Sequence, residues 1–266
     1  MTSLMFMLML QYVVSTKAGM VNHVQGKASV KPTESVAAGV PIVTGPDGYA
    51  EILLNPGSFL RLGENSQGLF EDVDLAHIVV RAISGAAIIE VTEIDEEFPI
   101  TVVSGELTVQ IVQSGLYRFE DGRASIISGK LQTADSKIAY KKGWSISSPA
   151  GGIRAVKIAQ NTPTALDVWS KARSSVIAAA NGEMVKTCDD KRFPVQTRSA
   201  WIFVPQIGVW TFVPLGRRDS PYGFRYRFYL QDLLRQTSPQ TQTAPRVSQD
   251  EIVNRKDPEI PVGNAP

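Results

Sequence analysis

The densest group of side chains that could bind a cation is a run of carboxylates in the segment EVTEIDEEF. Five acidic residues fall within eight positions, and these are Glu90, Glu93, Asp95, Glu96 and Glu97. Calcium takes several carboxylate oxygens at close range, so this run is a candidate cation site. The run lacks the Asp-x-Asp-x-Asp-Gly spacing of a calcium loop, and acidic runs more often form solvated turns. We therefore predict no bound metal and no cofactor.

Residue types that perform acid/base or nucleophilic catalysis are sparse. The two histidines, His23 and His77, are far apart and have no partner at metal-ligand spacing. No serine lies in a nucleophile-elbow motif, and the segment SGAAIIE lacks the lysine of a phosphate-binding loop. Asp189 and Asp190, beside the lone Cys188, fit a loop better than an acid/base pair. The sequence therefore favours a non-enzymatic protein, with a carbohydrate-active or metal-dependent enzyme as an alternative.

Aromatic and arginine side chains are concentrated in residues 193–230. This segment holds ten of the 21 aromatic residues, together with five arginines and one aspartate. Rings of Trp and Tyr stack on sugars, and Trp, Tyr and Arg dominate protein-binding hot spots. We predict a binding surface of rings and arginines here, made by Trp201, Trp210, Arg217, Arg218, Tyr222, Arg225 and Tyr226. The alternative is that the rings form the core of a hairpin packed on the rest of the chain.

Short strands joined by tight turns are predicted for most of the first 160 residues. GYAEILLNPGSFLRLGENS, residues 48–66, indicates strand, turn and strand, with Gly57 at the turn position that needs a positive φ. SGELTVQI alternates Leu107, Val109 and Ile111 with polar residues, which is the period-2 pattern of a half-buried strand. Repeated glycine-led strands of this kind predict an all-β body, either a twisted β-solenoid or a β-sandwich.

One helix and one aromatic hairpin are predicted after the β body. Residues 162–182 carry a Thr164–Asp167 capping-box pattern and end at Asn181-Gly182, and Trp169 lies on the face expected to pack on the β body. SAWIFVPQIGVWTFVPLG predicts the hairpin, with its turn at Pro205–Gly208. Residues 231–266 are rich in Pro, Gln and Thr and have no aromatic residue, so we expect them to be disordered.

The N-terminus and the overall charge bear on location and partners. An apolar run of about eleven residues, Leu4 to Val14, is too short for a membrane span but fits the core of a signal peptide. A small residue before Gly19 predicts that the mature chain begins there and that residues 1–18 are a signal peptide. The formal net charge of +1 gives no field that would attract nucleic acid. We expect a periplasmic or otherwise extracytoplasmic protein without a stable transmembrane span.

An ordered set of segments resembles the FecR-like domain. The set is MVNHVQGKASV, AAGVPIVTGPDGYAEILLNPGSFLRLGENS and IVVRAISGAAIIEV. The likeness runs over residues 20–145 and is best at 45–63 and 84–91. The helix and the aromatic hairpin look like those that follow this domain in some bacterial envelope proteins. The domain organisation is then a signal peptide (1–18), a FecR-like β domain (19–160), a helix (161–182), an aromatic hairpin segment (183–230) and a tail (231–266).

The resemblance implies an all-β domain that lies outside the cytoplasm and has no catalytic motif. We therefore expect a non-enzymatic envelope scaffold that binds another envelope protein or a cell-wall polysaccharide. Founding members of the family transmit a receptor signal to a sigma factor, so regulation of a sigma-factor system is the alternative function that the resemblance implies.

Overall fold

The computed structural model describes residues 12–13, 17–158, 162–187 and 199–227. These residues belong to the unit formed by residues 1–230. The tail at 231–266 and Cys188, Asp189 and Asp190 lie outside the described residues, as does most of the predicted signal peptide. Disorder of the tail and cleavage before Gly19 therefore stay predictions.

Twenty strands and one α-helix form the described part of the chain. The first ten strands are β1 (Tyr12–Val13), β2 (Val21–Gln25), β3 (Ile42–Val43), β4 (Tyr49–Leu53), β5 (Ser58–Leu62), β6 (Gln67–Asp72), β7 (Val79–Ser84), β8 (Ala86–Val91), β9 (Ile100–Ser104) and β10 (Leu107–Ile111). The next six are β11 (Gly115–Glu120), β12 (Arg123–Ser128), β13 (Lys130–Thr133), β14 (Ala139–Lys141), β15 (Trp144–Ser147) and β16 (Arg154–Lys157). Helix α1 (Ala165–Thr187) precedes β17 (Ala200–Val204), β18 (Val209–Val213), β19 (Arg218–Asp219) and β20 (Arg225–Tyr226).

Two large sheets face each other across a shared apolar core. One has seven strands in the order β14-β13-β10-β9-β7-β6-β3, and the other has eight in the order β16-β15-β12-β11-β8-β5-β4-β2. Both sheets contribute buried side chains to one cluster, for example Phe70 and Val109 from the first and Leu60 and Tyr117 from the second. The predicted all-β class with one helix is confirmed. Since the only parallel pairing links β7 with β9, the described strands do not stack as the parallel coils of a solenoid.

Strand β10 shows why the sequence folds in this way. Leu107, Val109 and Ile111 are buried, whereas Thr108 and Gln110 between them are half-buried. The alternation places one row of side chains in the shared core, as the period-2 pattern predicts.

Helix α1 begins at Ala165, directly after the predicted capping residue Thr164 and four residues later than the predicted bound, and it ends later than predicted. Thr164 and Asp167 form the capping box, since the backbone N–H of Thr164 donates to the Asp167 carboxylate at 2.6 Å. The predicted end at Asn181-Gly182 is wrong, because the helix continues to Thr187. Asn181 is buried and its amide donates to the Phe212 carbonyl at 2.9 Å, so a tertiary contact occupies the side chain that suggested a stop.

The outer face of the eight-stranded sheet is covered by α1 and by the β17–β18 hairpin, which we call the helix–hairpin unit. Trp169 stacks on Tyr49 with ring centroids 5.0 Å apart, which confirms the predicted packing of the helix through this ring. Leu53 and Phe59 on the sheet pack with Trp201 and Phe212 on the hairpin. The hairpin and its turn are as predicted, with Trp201 opposite Phe212.

Strand β1 lies inside the predicted signal peptide and pairs with β17 in this structure. Tyr12 is opposite Ile202, and Val13 is opposite Trp201. Ala18 is buried, and its N–H donates to the Val73 carbonyl at 2.8 Å. No helix in the described ranges has the length and apolar character needed to cross a bilayer.

Gly57 has the positive φ that the turn between β4 and β5 requires. Its φ is 88°, as predicted, and a Cβ atom there would lie 2.9 Å from the tip of the Phe212 ring. The turn is therefore restricted both by its backbone conformation and by the hairpin that packs over it.

We expect Gly57→Ala to lower the free energy of unfolding by more than about 1 kcal/mol. Gly57→Val should lower it by a larger amount. Gly143→Ala is the matched control, since Gly143 has a φ of 87° but a Cβ atom there would meet no described heavy atom within 4 Å. Denaturant unfolding of both variants separates backbone strain from the clash with Phe212. Equal losses in the two variants would mean that the hairpin does not press on the turn.

Candidate functional site

Four charged side chains that bond to one another lie between the eight-stranded sheet and α1. We call Glu51, Arg61, Glu90 and Arg173 the buried charge cluster. The Arg61 Nε donates to Glu51 at 2.8 Å, its Nη1 donates to Glu90, and the Arg173 Nη2 donates to Glu51 at 2.9 Å. The side chains of Glu51, Arg61 and Glu90 have 0% exposure and that of Arg173 has 9%, so the three sheet residues lie beneath the helix and out of reach of solvent.

Strand register and helix periodicity together assemble the cluster. Glu51 is directly opposite Arg61 across β4 and β5, and Arg61 is opposite Ile88, two residues before Glu90 on β8. These positions share the outer face of the sheet, because residues two apart on a strand point to the same side. Arg173 reaches the same place from α1.

Two serines on α1 make further polar contacts with the cluster. Ser170 accepts a hydrogen bond from Arg61 Nη1 at 2.8 Å, and Ser174 donates to the Glu90 carboxylate. The Tyr222 hydroxyl donates to Ser170 at 2.9 Å. Ser170 and Ser174 are one turn apart, so one face of the helix bonds to both Arg61 and Glu90.

Two asparagines join the cluster region to the hairpin. The Asn22 amide donates to Glu51 at 2.9 Å, and its carbonyl accepts from the Trp210 N–H at 2.7 Å. Asn181 accepts from the Arg227 N–H at 2.6 Å in addition to its bond to Phe212. Sheet, helix and hairpin are therefore held together by buried hydrogen bonds as well as by apolar contacts.

The cluster contains two carboxylates and two guanidiniums and is formally neutral. Burial acts to raise the pKa of Glu51, but the guanidiniums of Arg61 and Arg173 outweigh it and hold that pKa below its usual range. Burial alone would lower the pKa of Arg61. The negative charges of Glu90 and Glu51 outweigh this effect and hold that pKa above its usual value. Burial raises the pKa of Tyr226, and the negative charge of Glu90 adds to the effect. The ionised pairs are thus favoured in the folded state.

We expect the pH dependence of stability to report on Glu51. Because its pKa is lower in the folded state, its contribution is complete above about pH 4.3 and is lost as the pH falls through the folded pKa. Glu51→Gln should therefore be less stable than the wild type at pH 7. The difference should narrow as the pH falls from about 5 to about 3. Urea unfolding at several pH values measures this, and a constant difference would contradict it.

The structure separates the predicted ring-and-arginine surface into two groups. Trp201, Trp210 and Tyr226 are 1%, 7% and 1% exposed, so these rings pack in the interior and offer no face to a ligand. Tyr222 is half-buried. The hairpin-core alternative therefore describes Trp201, Trp210 and Tyr226, because the hairpin packs on the apolar residues Leu53 and Phe59 of the sheet.

The arginines of the predicted surface are exposed. Arg217, Arg218, Arg225 and Arg227 form what we call the arginine ridge, on the segment that follows β18. Arg225 pairs with Asp219 at 3.0 Å, and Arg218 lies 3.5 Å from Glu93. Partner binding by Arg217, Arg218, Tyr222 and Arg225 stays a prediction. The exposed guanidiniums, rather than stacked rings, would make most of the contacts.

The acidic run does not form a metal site within the described residues. No group of three or more His, Cys, Asp or Glu side chains there could hold an ion. Glu90 points into the buried charge cluster, and Glu93 accepts from Ser199 at 2.8 Å. Glu90 and Glu93 therefore have different partners, since Glu90 lies on β8 and Glu93 lies in the loop that follows it.

Sequence reasoning missed the buried charge cluster. A signal was present, because Glu51, Arg61 and Glu90 each interrupt an otherwise apolar strand, in AEIL, FLRL and IIEV. A charged residue with apolar neighbours on both sides indicates a buried partner. Nothing in the sequence showed that the three would meet one another or Arg173.

Comparisons with known proteins give distant structural matches. No protein-family model and no curated protein matches the chain. Two crystal structures from Parabacteroides distasonis, each described as a "putative anti-sigma factor", are similar at 16% identity, with TM-scores of 0.37 and 0.39. The matches cover 44% and 53% of this chain, and 59% and 73% of the solved chains. The chain thus spans less than two thirds of the first of these structures.

Proposed function

We propose that the chain is a non-enzymatic, extracytoplasmic protein of the bacterial envelope that works by binding another macromolecule. The observation that carries this proposal is the sealing of the buried charge cluster. Carboxylates, guanidiniums and hydroxyls at hydrogen-bonding distance are the ingredients of an active site, but here Glu51, Arg61 and Glu90 have no exposed surface that a substrate could reach. Their role is to fasten the helix–hairpin unit to the sheet.

The arginine ridge is the surface that we assign to the partner. Fastening the unit fixes the position of the segment that carries the ridge, because Asn181 on α1 bonds to the backbone of Arg227. Exposed guanidiniums form bidentate bonds to carboxylates, and rigid presentation reduces the entropy lost on binding. A protein with an acidic surface or an acidic cell-wall polymer fits this chemistry.

Site-specific photo-crosslinking in cells of the source organism tests the proposal. A crosslinking residue at Arg217 should capture one discrete species, whereas the same residue at the exposed Asp135 on the β body should capture none. Arg218→Glu combined with Arg225→Glu should reduce the yield at position 217. Capture at both positions alike, or at neither, would overturn the assignment of the ridge.

Purified cell-wall material distinguishes the two kinds of partner. Cosedimentation that depends on Arg218 and Arg225 identifies a polymer, whereas a crosslinked polypeptide with no cosedimentation identifies a protein. Cosedimentation that survives the double charge reversal would also contradict the role of the ridge.

Regulation of a sigma-factor system is the second candidate function. The observation that favours it is that three segments of the FecR-like resemblance meet in one place. GYAE supplies Glu51, LRL supplies Arg61 and IEV supplies Glu90, and the three side chains bond directly. Deletion of the gene followed by transcript profiling tests this function. A change confined to genes that share one promoter type supports it, and an unchanged transcript profile contradicts it.

A further inference from the structure

The outer face of the eight-stranded sheet is not covered over its whole width. Beyond the start of α1, strands β12, β15 and β16 carry a groove with a volume of about 270 Å³, lined by both polar and apolar residues. Its polar lining consists of Arg123, Ser145, Ser147 and Arg154, which we call the arginine–serine groove. The guanidiniums of Arg123 and Arg154 face this groove, and no carboxylate of the described residues lines it.

Strand register fixes the spacing of the groove. Arg123 is opposite Ser147, and Ser147 is opposite Arg154, so the three form one row across three strands. Neighbouring strands are about 4.8 Å apart, which places the two arginine backbones roughly 10 Å apart with a hydroxyl between them. The next row carries Ser125 and Ser145, whose hydroxyl oxygens are 3.1 Å apart. Two guanidiniums thus flank a group of serine hydroxyls that can donate hydrogen bonds.

The two arginines have no internal acidic partner. Within the described ranges, neither Arg123 nor Arg154 takes part in an ion pair, and both are exposed. Arg118, at the helix side of the groove, is different because it is bonded to Asp167 of α1. The carboxylate nearest in register is Glu120, directly opposite Arg123 on β11. It lines an adjoining cavity of about 160 Å³ together with Asp121.

We propose that the arginine–serine groove binds an acidic polypeptide segment in extended conformation. Carboxylates at alternate positions of an extended chain lie on one side of it, roughly 7 Å apart, so two of them reach Arg123 and Arg154 together. Val156, 47% exposed at the edge strand, also lines the groove. The groove is separate from the arginine ridge, so this proposal does not depend on the proposed function.

Fluorescence anisotropy at low salt with a labelled peptide tests the proposal. The probe is acetyl-Ser-Glu-Val-Glu-Ser-amide, and the control peptide has Gln in place of each Glu. The acidic peptide should bind with a Kd below about 1 mM and the control peptide should not. Arg123→Gln and Arg154→Gln should each weaken binding about threefold, in the range of exposed charge pairs, and the double variant about tenfold.

Glu120 gives a test with the opposite sign. Glu120 is opposite Arg123 in register, and its negative charge opposes the approach of an acidic ligand, so Glu120→Gln should tighten binding about twofold. Arg225→Gln, on the arginine ridge, should leave the affinity unchanged. Unchanged melting temperatures confirm that the variants are folded, since all of these side chains are exposed.

Three results would overturn the proposal. One is that the protein binds the acidic peptide and the Gln peptide with equal affinity, or that the wild type and the double variant bind the acidic peptide equally. Another is displacement of the peptide by inorganic phosphate at the same total charge, because that result indicates general anion binding. The third is retention on phosphatidylglycerol vesicles that depends on Arg123 and Arg154 while the peptide fails to bind, since it would assign the groove to a membrane surface.

Discussion

Arg61→Met is expected to lower the free energy of unfolding by about 3–5 kcal/mol, because it removes one partner from a buried ionic network. The substitution leaves Glu90 beneath α1 with only Ser174 as a donor among the described residues, and Glu51 with Arg173 and Asn22. Leaving a buried carboxylate without its cation lowers the free energy of unfolding by more than the intact ion pair contributes to it. Urea unfolding at neutral pH measures the loss.

Arg81→Met is the matched control for this prediction. Arg81 pairs with Glu71 across neighbouring strands, but both side chains are exposed, at 39% and 36%. The control should therefore lose no more than about 1 kcal/mol. Adding Glu90→Leu to Arg61→Met should recover part of the loss, because it removes the unpaired carboxylate. Equal losses in the Arg61 and Arg81 variants would show that the buried charge cluster does not stabilise the fold.

Trp201→Ala is expected to lower the free energy of unfolding by about 3–5 kcal/mol. The ring packs edge-on against Phe59 on the sheet and Phe212 on the hairpin, with centroids 5.1 and 6.0 Å away. Its removal leaves a cavity between the hairpin and the sheet that the surrounding side chains fill only in part. Thermal and denaturant unfolding both report this loss.

Phe98→Ala is the control for the aromatic substitution. Phe98 is 43% exposed on the loop between β8 and β9, and its replacement should change stability by less than about 0.5 kcal/mol. If the Trp201→Ala protein has the same melting temperature as the wild type, the hypothesis that this ring is part of a binding surface is restored.

Local sequence patterns predicted the elements correctly where short-range physics decides the outcome. Gly57 has the φ that its turn position requires, and the β17–β18 hairpin forms around Pro205–Gly208. The Thr164–Asp167 capping box starts α1. In each case, residues within a few positions of one another determine the conformation.

Contacts between distant segments could not be predicted in this way. Arg61 and Arg173 lie 112 positions apart and meet only because Glu51 accepts hydrogen bonds from both. The end of α1 was predicted too early for the same reason, since Asn181 bonds to a strand that begins 28 residues later at Val209. The rings at Trp201 and Trp210 were assigned to a surface because no local pattern tells a hairpin's buried row from its exposed one.

Native-state hydrogen exchange tests most directly the claim that the buried charge cluster fastens the helix–hairpin unit to the sheet. Amides of α1 between Ser170 and Asn181 should exchange with the same opening free energy as those of β5, because helix and sheet then open together. In Arg173→Ala, which removes the helix's cation from Glu51, the opening free energy of these helix amides should fall below that of β5. Helix amides that open far more easily than β5 already in the wild type, with no change in Arg173→Ala, would contradict the account.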